Sequence, residues 1–256
     1  MDNIFDMTGK AVLITGASGN GLGRNFAEAL AKAGATVVVA ARREEPLKAL
    51  ADTIAASGGK AHAVKMDVTD MDSVRAGVAE AVRLTGGLDG LINNSGVVGR
   101  VPLLEQTAEA WNRIIDTNLN GVWAVGCEVA RGMVERGKGG SIVNIGSLLS
   151  FRQSPGNTSY AVSKAAVVQL TQQMALEWTE HNIRVNALAP GYFETDLNRD
   201  FLRSEQGQKI LKRIPMGRTG SLPELTGAML LLLSDAGSYI TGTTISVDGG
   251  HRINPV

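Results

Sequence analysis

The segment Tyr160-Ala161-Val162-Ser163-Lys164 sets a phenol and an ammonium four residues apart. On a helix, residues i and i+4 lie one above the other on the same face. A free phenol ionises near pH ~10 and shuttles protons poorly at neutrality. A cation beside it favours the phenolate and moves that value downward. Ser147 lies thirteen residues upstream of Tyr160, just past the apolar run Ser141-Ile142-Val143-Asn144-Ile145. That run reads as a strand, which puts the serine on a loop facing the start of the helix. A hydroxyl that binds a substrate oxygen, next to a phenol tuned to exchange its proton, is equipment for carbonyl reduction or alcohol oxidation. A Tyr-x-x-x-Lys pair alone is usually a solvated tyrosine near a lysine, so its weight comes from its surroundings.

Those surroundings alternate short β-rich runs with longer helical patterns. Strands are expected near residues 10–15, 36–40, 61–65, 88–92, 141–145, 184–188 and 244–247. Helical spacing covers 22–33, 44–56, 71–84, 107–136, 157–179 and 223–233. Continuous apolar strands such as Val37-Val38-Val39 indicate burial on both faces. The alternation implies an α/β fold, a doubly wound parallel sheet of about seven strands with helices on both faces. No linker or repeat divides the chain, so residues 1–256 are expected to form a single domain. The stretch 192–221 follows the sixth strand and carries Glu194, Asp196, Arg199, Asp200, Arg203, Glu205, Lys209, Lys212 and Arg213. Two short helices are expected in it, and its place past a strand's carboxyl end suits a substrate lid.

Composition narrows the partners. Twenty-five basic and 25 acidic residues leave no net charge, so nothing points to nucleic acid or an anionic membrane. Cys127 is the only cysteine and sits among apolar neighbours, which reads as a buried thiol. His62, His181 and His251 are scattered, so no metal site is expected. No apolar run approaches the ~18 residues of a membrane span. The first residues, Met1 to Asp6, lack the pattern of a secretory signal, and the cytoplasm is the expected location.

Thr15-Gly16-Ala17-Ser18-Gly19-Asn20-Gly21-Leu22-Gly23 follows the first strand and opens a helix. Glycines let a pyrophosphate approach the backbone, and the helix start supplies free N–H groups and partial positive charge. Gly16, Ser18, Asn20, Gly21, Leu22 and Gly23 are therefore candidate dinucleotide contacts. The second strand ends Ala40-Ala41-Arg42-Arg43. An acid there would bind a ribose 2′-hydroxyl, whereas arginine suits a 2′-phosphate. Arg42 and Arg43 favour NADP(H) over NAD(H), although Glu44 and Glu45 follow closely and would oppose a phosphate. Asp67-Val68 ends the third strand and is placed for the adenine edge. Asn93-Asn94-Ser95-Gly96 ends the fourth, with Asn94 tying loop backbone together and Gly96 leaving room for the cofactor.

Together these residues resemble the short-chain dehydrogenase/reductase family over about residues 8–250. The resemblance also takes in Asn118, Pro190-Gly191 and Val247-Asp248-Gly249-Gly250. It implies a Ser-Tyr-Lys-Asn tetrad in which Tyr160 is the general acid/base and Ser147 orients the substrate oxygen. Lys164 would bind the nicotinamide ribose and lower the tyrosine pKa, and Asn118 would support a water-linked proton path. The segment from Pro190 and Gly191 would lie over the nicotinamide, with Thr195 near its carboxamide or the pyrophosphate. Two departures stand out. Four residues rather than three separate Gly16 from Gly21, so one must bulge near Gly19-Asn20, and position 20 lacks the basic residue of many NADP-binding members.

The implied reaction interconverts a ketone and a secondary alcohol on a small molecule. Two variants share its chemistry. A 3-oxoacyl thioester reductase would use Arg131, Arg136 and Lys138 to dock an acidic carrier. A sugar-acid or polyol dehydrogenase, such as a gluconate 5-dehydrogenase-like enzyme, would use Arg100, Arg152 or loop cations for a carboxylate. A sensor on the same fold would need no proton shuttle. Relatives of this kind form dimers and tetramers through the helices at 107–136 and 157–179, where Ala124, Gly126, Ala130, Ala165, Ala166 and Val167 would pack.

Overall fold

A computed structural model describes residues 3–195 and 198–253. Met1, Asp2 and Asp196, the last counted above among the charges of the 192–221 stretch, lie outside the described residues. Seven strands form one sheet: β1 (Ala11–Thr15), β2 (Thr36–Ala41), β3 (Lys60–Lys65), β4 (Gly90–Asn93), β5 (Gly140–Ile145), β6 (Ile183–Pro190) and β7 (Thr244–Val247). Their order is β3-β2-β1-β4-β5-β6-β7, and every pair is parallel.

Successive residues of each strand feed opposite cores, as the two-residue side-chain period requires. Val12, Ile14, Val37 and Val39 pack with Phe26, Leu30, Met229 and Leu232 on one face. Leu13, Val38, Leu91 and Ile142 pack with Val74, Val125, Val129 and Met174 on the other. The first face is covered by α1 (Leu22–Lys32), α2 (Glu44–Ala56) and later α9 (Thr226–Leu233). The second is covered by α3 (Met71–Thr85), α5 (Gly121–Arg136) and α6 (Thr158–Trp178). Burial on both faces is why these strands read as unbroken apolar runs.

One expected helix is not continuous. The 107–136 pattern divides into α4 (Ala108–Ile115), a π-helical turn at Asp116–Asn120, and α5. Apolar periodicity carries no mark of such a widened turn; Asn118, at its centre, is fully buried. Between residues 192 and 221, α7 (Arg199–Arg203) and α8 (Glu205–Leu211) supply the two short helices, and Phe193 bridges to Gly220 at the base. Strand order reverses between β1 and β4, so the crevice beyond their carboxyl ends is the natural ligand site.

Candidate active site

A cavity of about 1320 Å³ occupies that crevice. Its floor is the glycine turn. Gly16 holds φ +70°, and a Cβ there would come within 2.8 Å of the Ser95 Cα. A Cβ on Gly23 would meet Asn94 Nδ2 at 2.7 Å and the Gly16 carbonyl at 2.8 Å. Asn94 fixes this turn by donating from Nδ2 to the Thr15 and Gly16 carbonyls, at 2.9 and 3.1 Å. The inserted residue bulges outward where expected: Gly19 and Asn20 are exposed, and a Cβ on Gly19 would meet nothing within 4 Å. Arg24, one turn into α1, donates to Asn20 Oδ1 at 3.0 Å and brings a guanidinium to a position that lacks its own cation.

No side chain caps the amino end of α1, where Gly21, Leu22 and Gly23 line the cavity. Thr195 faces Gly21 from across the cavity, its methyl 3.8 Å from where a Cβ would stand. Free amides, a positive helix end and glycines that let an anion approach make a pyrophosphate cradle.

Beyond β2, Arg42 and Arg43 are exposed and line the same cavity with Ser18. Arg43 Nη2 donates to the Ser18 carbonyl at 3.0 Å, closing over the turn. Glu44 and Glu45 fall in the first turn of α2, each 3.6 Å from Lys48, and are not among the lining residues. Their expected opposition to a phosphate is thereby reduced. Burial tends to raise the Asp67 carboxyl, but hydrogen bonds from Thr69 and the Arg42 charge outweigh it and hold the carboxyl below its usual range. Oδ1 takes both Thr69 bonds, at 3.0 and 2.8 Å. Val68, Gly96, Pro190 and Gly191 complete the expected lining.

At the other end stand Ser147, Tyr160 and Lys164. Ser147 opens a single 3₁₀ turn, Leu148–Ser150, just past β5. Ser150 ties that turn to α6 by donating from Oγ to the Lys164 carbonyl at 2.8 Å. Tyr160 and Lys164 share one face of α6, with Nζ 5.9 Å from the phenol ring centre. Lys164 is buried and donates from Nζ to the Ile145 carbonyl at 2.7 Å.

The acidities differ from expectation. Burial raises the Tyr160 phenol above its ordinary value, the Ser147 hydrogen bond draws it down, and nearby Tyr192 raises it further. Lys164 does not bring it below 10, because its ammonium is directed at Ile145 and is itself lowered to about 8 by burial. At neutral pH the phenol therefore stands protonated, ready to donate.

Of the expected tetrad and dinucleotide contacts, Asn118 alone is not among the residues that line the cavity, and the candidate carboxylate-binding Arg100 and Arg152 are not among them either. Both ends of its amide are taken by Val97, and Nδ2 also donates to Ser163 Oγ at 3.2 Å. Ser163 in turn donates to the Tyr160 carbonyl at 2.7 Å. The Asn118 side chain braces the site, tying the Val97 segment to α6.

Sequence reasoning left out Tyr192 and His251. Burial raises the Tyr192 phenol above its ordinary value, the Arg100 charge offsets part of that rise, and Tyr192 in turn raises Tyr160. Tyr192 also packs on His251, ring centres 5.7 Å apart, and Arg152 Nη1 donates to the His251 carbonyl at 2.6 Å. A tyrosine after Pro-Gly gives no periodic signal, and only the fold joins it to the turn at His251–Ile253. The carrier-docking cations are elsewhere. Arg131 pairs with Glu128 at 2.8 Å. Arg136 and Lys138 precede β5, whereas Ser147 follows it; six strand residues span about 20 Å.

A family profile described as Enoyl-(Acyl carrier protein) reductase matches residues 16–252. Gluconate 5-dehydrogenase of Gluconobacter oxydans is 42% identical over 253 residues, covering 98% of each chain. A 3-oxoacyl-[acyl-carrier-protein] reductase of Aquifex aeolicus is 38% identical over 245 residues, covering 95% of this chain and 98% of the relative. The crystal structure of a gluconate 5-dehydrogenase from Burkholderia cenocepacia, in complex with NADP and tartrate, superposes with a TM-score of 0.93 at 39% identity, covering 97% of both chains. With a uniform parallel sheet, a glycine cradle at its switch point and serine, tyrosine and lysine converging beside it, the chain belongs to the short-chain dehydrogenase/reductase family, NAD(P)-dependent oxidoreductases acting on alcohols and carbonyls.

Proposed function

We propose that this enzyme interconverts a ketone and a secondary alcohol on a polyhydroxy acid, with NADP(H) as its preferred dinucleotide. The observation that carries the reading is the convergence, in one cavity, of a protonated phenol, a serine hydroxyl and a buried ammonium with an arginine pair at the far end. When bound, the dinucleotide supplies or takes up a hydride. Arg42 and Arg43 would hold a 2′-phosphate, the amino end of α1 a pyrophosphate, and Lys164 a ribose hydroxyl. Ser147 and Tyr160 bind the substrate oxygen together. In reduction Tyr160 delivers its proton to that oxygen; in oxidation it receives one. Asn118 keeps the Val97 segment and α6 in register through Ser163.

The substrate class rests on charge. Arg100, outside the residues that line the cavity, bears electrostatically on Tyr192, and Tyr192 on Tyr160. Arginine matches a carboxylate bidentately. The gluconate 5-dehydrogenase relative and the tartrate complex support an acidic polyol. The distance of Arg136 and Lys138 from the cavity argues against a docked carrier. The 192–221 stretch, reaching the cavity through Phe193, Thr195 and Asn198, serves as the substrate lid.

The reading places the enzyme in the cytoplasm as a homotetramer or homodimer. No helix among the described residues is long and apolar enough to cross a membrane. Of the small residues expected at the contact, Ala124, Gly126, Ala130 and Val167 are buried in the chain's own core, because that face of each helix covers the sheet. Trp123, Val134, Val162 and Leu176 are the large apolar side chains that α5 and α6 leave exposed, and they support a contact between copies.

The test is steady-state kinetics on D-gluconate, a neutral polyol of equal length and a 3-oxoacyl thioester, with NADP and NAD. The expected result is preference for the acid with NADP, and an Arg100→Met variant that loses about tenfold or more in kcat/KM on the acid alone. Preference for the thioester, or an equal loss on acid and polyol, would refute the polyhydroxy-acid reading.

A further inference from the structure

A second cavity, of about 610 Å³, lies at the opposite end of the sheet, against the amino ends of β1, β2 and β3. Its lining includes Lys10, Lys60, Arg136 and Lys138, together with His62. Register brings the first two together. Ala11, Thr36 and Lys60 stand level across β1, β2 and β3, and Lys10 precedes Ala11. Adjacent strands lie about 4.8 Å apart, so the two lysines spring from backbones about 10 Å apart.

Arg136, the last residue of α5, is fixed in place. It donates from Nη2 to the Leu88 carbonyl and to Asp89 Oδ1, the latter at 3.2 Å. Gly87, at φ +138°, gives it room; a Cβ there would collide with the guanidinium. The Nε of this arginine is buried and has no hydrogen-bond partner among the described residues.

The charges do not cancel. Among the described residues Asp89 is the single carboxylate in the lining, and its Oδ2 already accepts from the Ala11 N–H at 2.8 Å. Lys10, Lys60 and Lys138 form no ion pair with a carboxylate among the described residues. Four cations against one carboxylate leave a formal excess of three positive charges. The carboxyl ends of α2, α3 and α5 meet here, each worth about half a negative charge, and offset about half of that excess. Compensation of the helix ends therefore does not account for all the cations.

The size is that of a small-molecule site, since such sites run about 300–1,000 Å³. Its cations come from the residue before β1, the start of β3, the end of α5 and the segment after α5, and so surround a ligand rather than fork onto one edge. That arrangement suits a tetrahedral dianion better than a planar carboxylate. We propose that this cavity binds a phosphate dianion, free or as the head of a small phosphate monoester. The site is independent of the polyhydroxy-acid reading and of the dinucleotide cradle at the other end of the sheet.

The test is isothermal titration calorimetry on enzyme saturated with NADP, so that Arg42 and the glycine turn are already engaged. Inorganic phosphate and glycerol phosphate are titrated separately, against chloride at matched ionic strength. Saturable binding of either at millimolar affinity or better is expected; tighter binding of the ester assigns the site to a metabolite head, and equal binding to free phosphate. The double variant Lys60→Gln, Lys138→Gln, whose exposed side chains leave the melting temperature in chloride unchanged, is expected to bind about tenfold more weakly. No phosphate heat beyond chloride, or undiminished binding in the double variant, would overturn the proposal.

Discussion

Asn118 closes both ends of its amide on a single residue: Oδ1 accepts from the Val97 N–H at 2.8 Å, and Nδ2 donates to the Val97 carbonyl at 2.9 Å. The pair joins the π-helical turn to the segment past β4 that lines the cavity. Removing the amide leaves two backbone groups without partners, at about 1–3 kcal/mol each when buried. Asn118→Ala is expected to lose about 2–4 kcal/mol in urea unfolding and to lower kcat more than dinucleotide affinity. Unchanged stability would show that the clamp is not as drawn.

Arg42 separates the two dinucleotides. A charge-assisted hydrogen bond contributes about 1.5–3 kcal/mol, so Arg42→Ala is expected to weaken NADP binding about ten- to a hundred-fold and to leave NAD almost untouched. Equal losses for both, measured by fluorescence titration, would remove the 2′-phosphate from this site.

The fold and the reactive trio were legible because each rests on local chemistry. Strand β2 shows three consecutive valines since both its faces are buried, and Tyr160 and Lys164 lie four residues apart on a helix with clear ends. Asn118 was legible only by resemblance. Its burial, the π-helical turn and the Val97 clamp depend on a segment twenty-one residues away. The Tyr160 acidity was misjudged for a related reason. Helical spacing brings the ammonium near but cannot show that Ile145 captures it, or that burial outweighs it. Tyr192, Arg100 and His251 meet only through tertiary packing, and their sequence neighbours give no hint of it.

Lys164 makes two pH effects. Its folded value is about 8 against 10.5 for an ordinary lysine, so the buried ammonium is unfavourable. Between those values the unfolded chain binds the proton that the folded chain has lost, so this residue makes stability rise with pH through that window. The gain is about 3 kcal/mol at most. It is checked as the pH dependence of the unfolding free energy of the parent minus that of Lys164→Met; a flat difference from pH 8 to 10.5 would contradict it. In catalysis the sign reverses. The kcat/KM for NADPH is expected to fall as pH rises past about 8, where Lys164 loses its charge.

Gly23 has no room for a side chain, with Asn94 Nδ2 at 2.7 Å and the Gly16 carbonyl at 2.8 Å from a Cβ. Gly23→Ala is expected to destabilise by about 1–3 kcal/mol and to weaken binding of both dinucleotides. Thermal melting with and without NADP checks this; retention of full affinity would mean that the cradle tolerates a shift of α1.

The account turns on the Tyr160 proton, and Tyr160→Phe tests it most directly. NADPH binding and single-turnover reduction are measured on the same sample. Binding is expected to match the parent, while turnover falls about a hundred- to ten-thousand-fold, the usual contribution of a positioned general acid. Turnover within a few-fold of the parent, with NADPH bound normally, would show that the proton comes from another group.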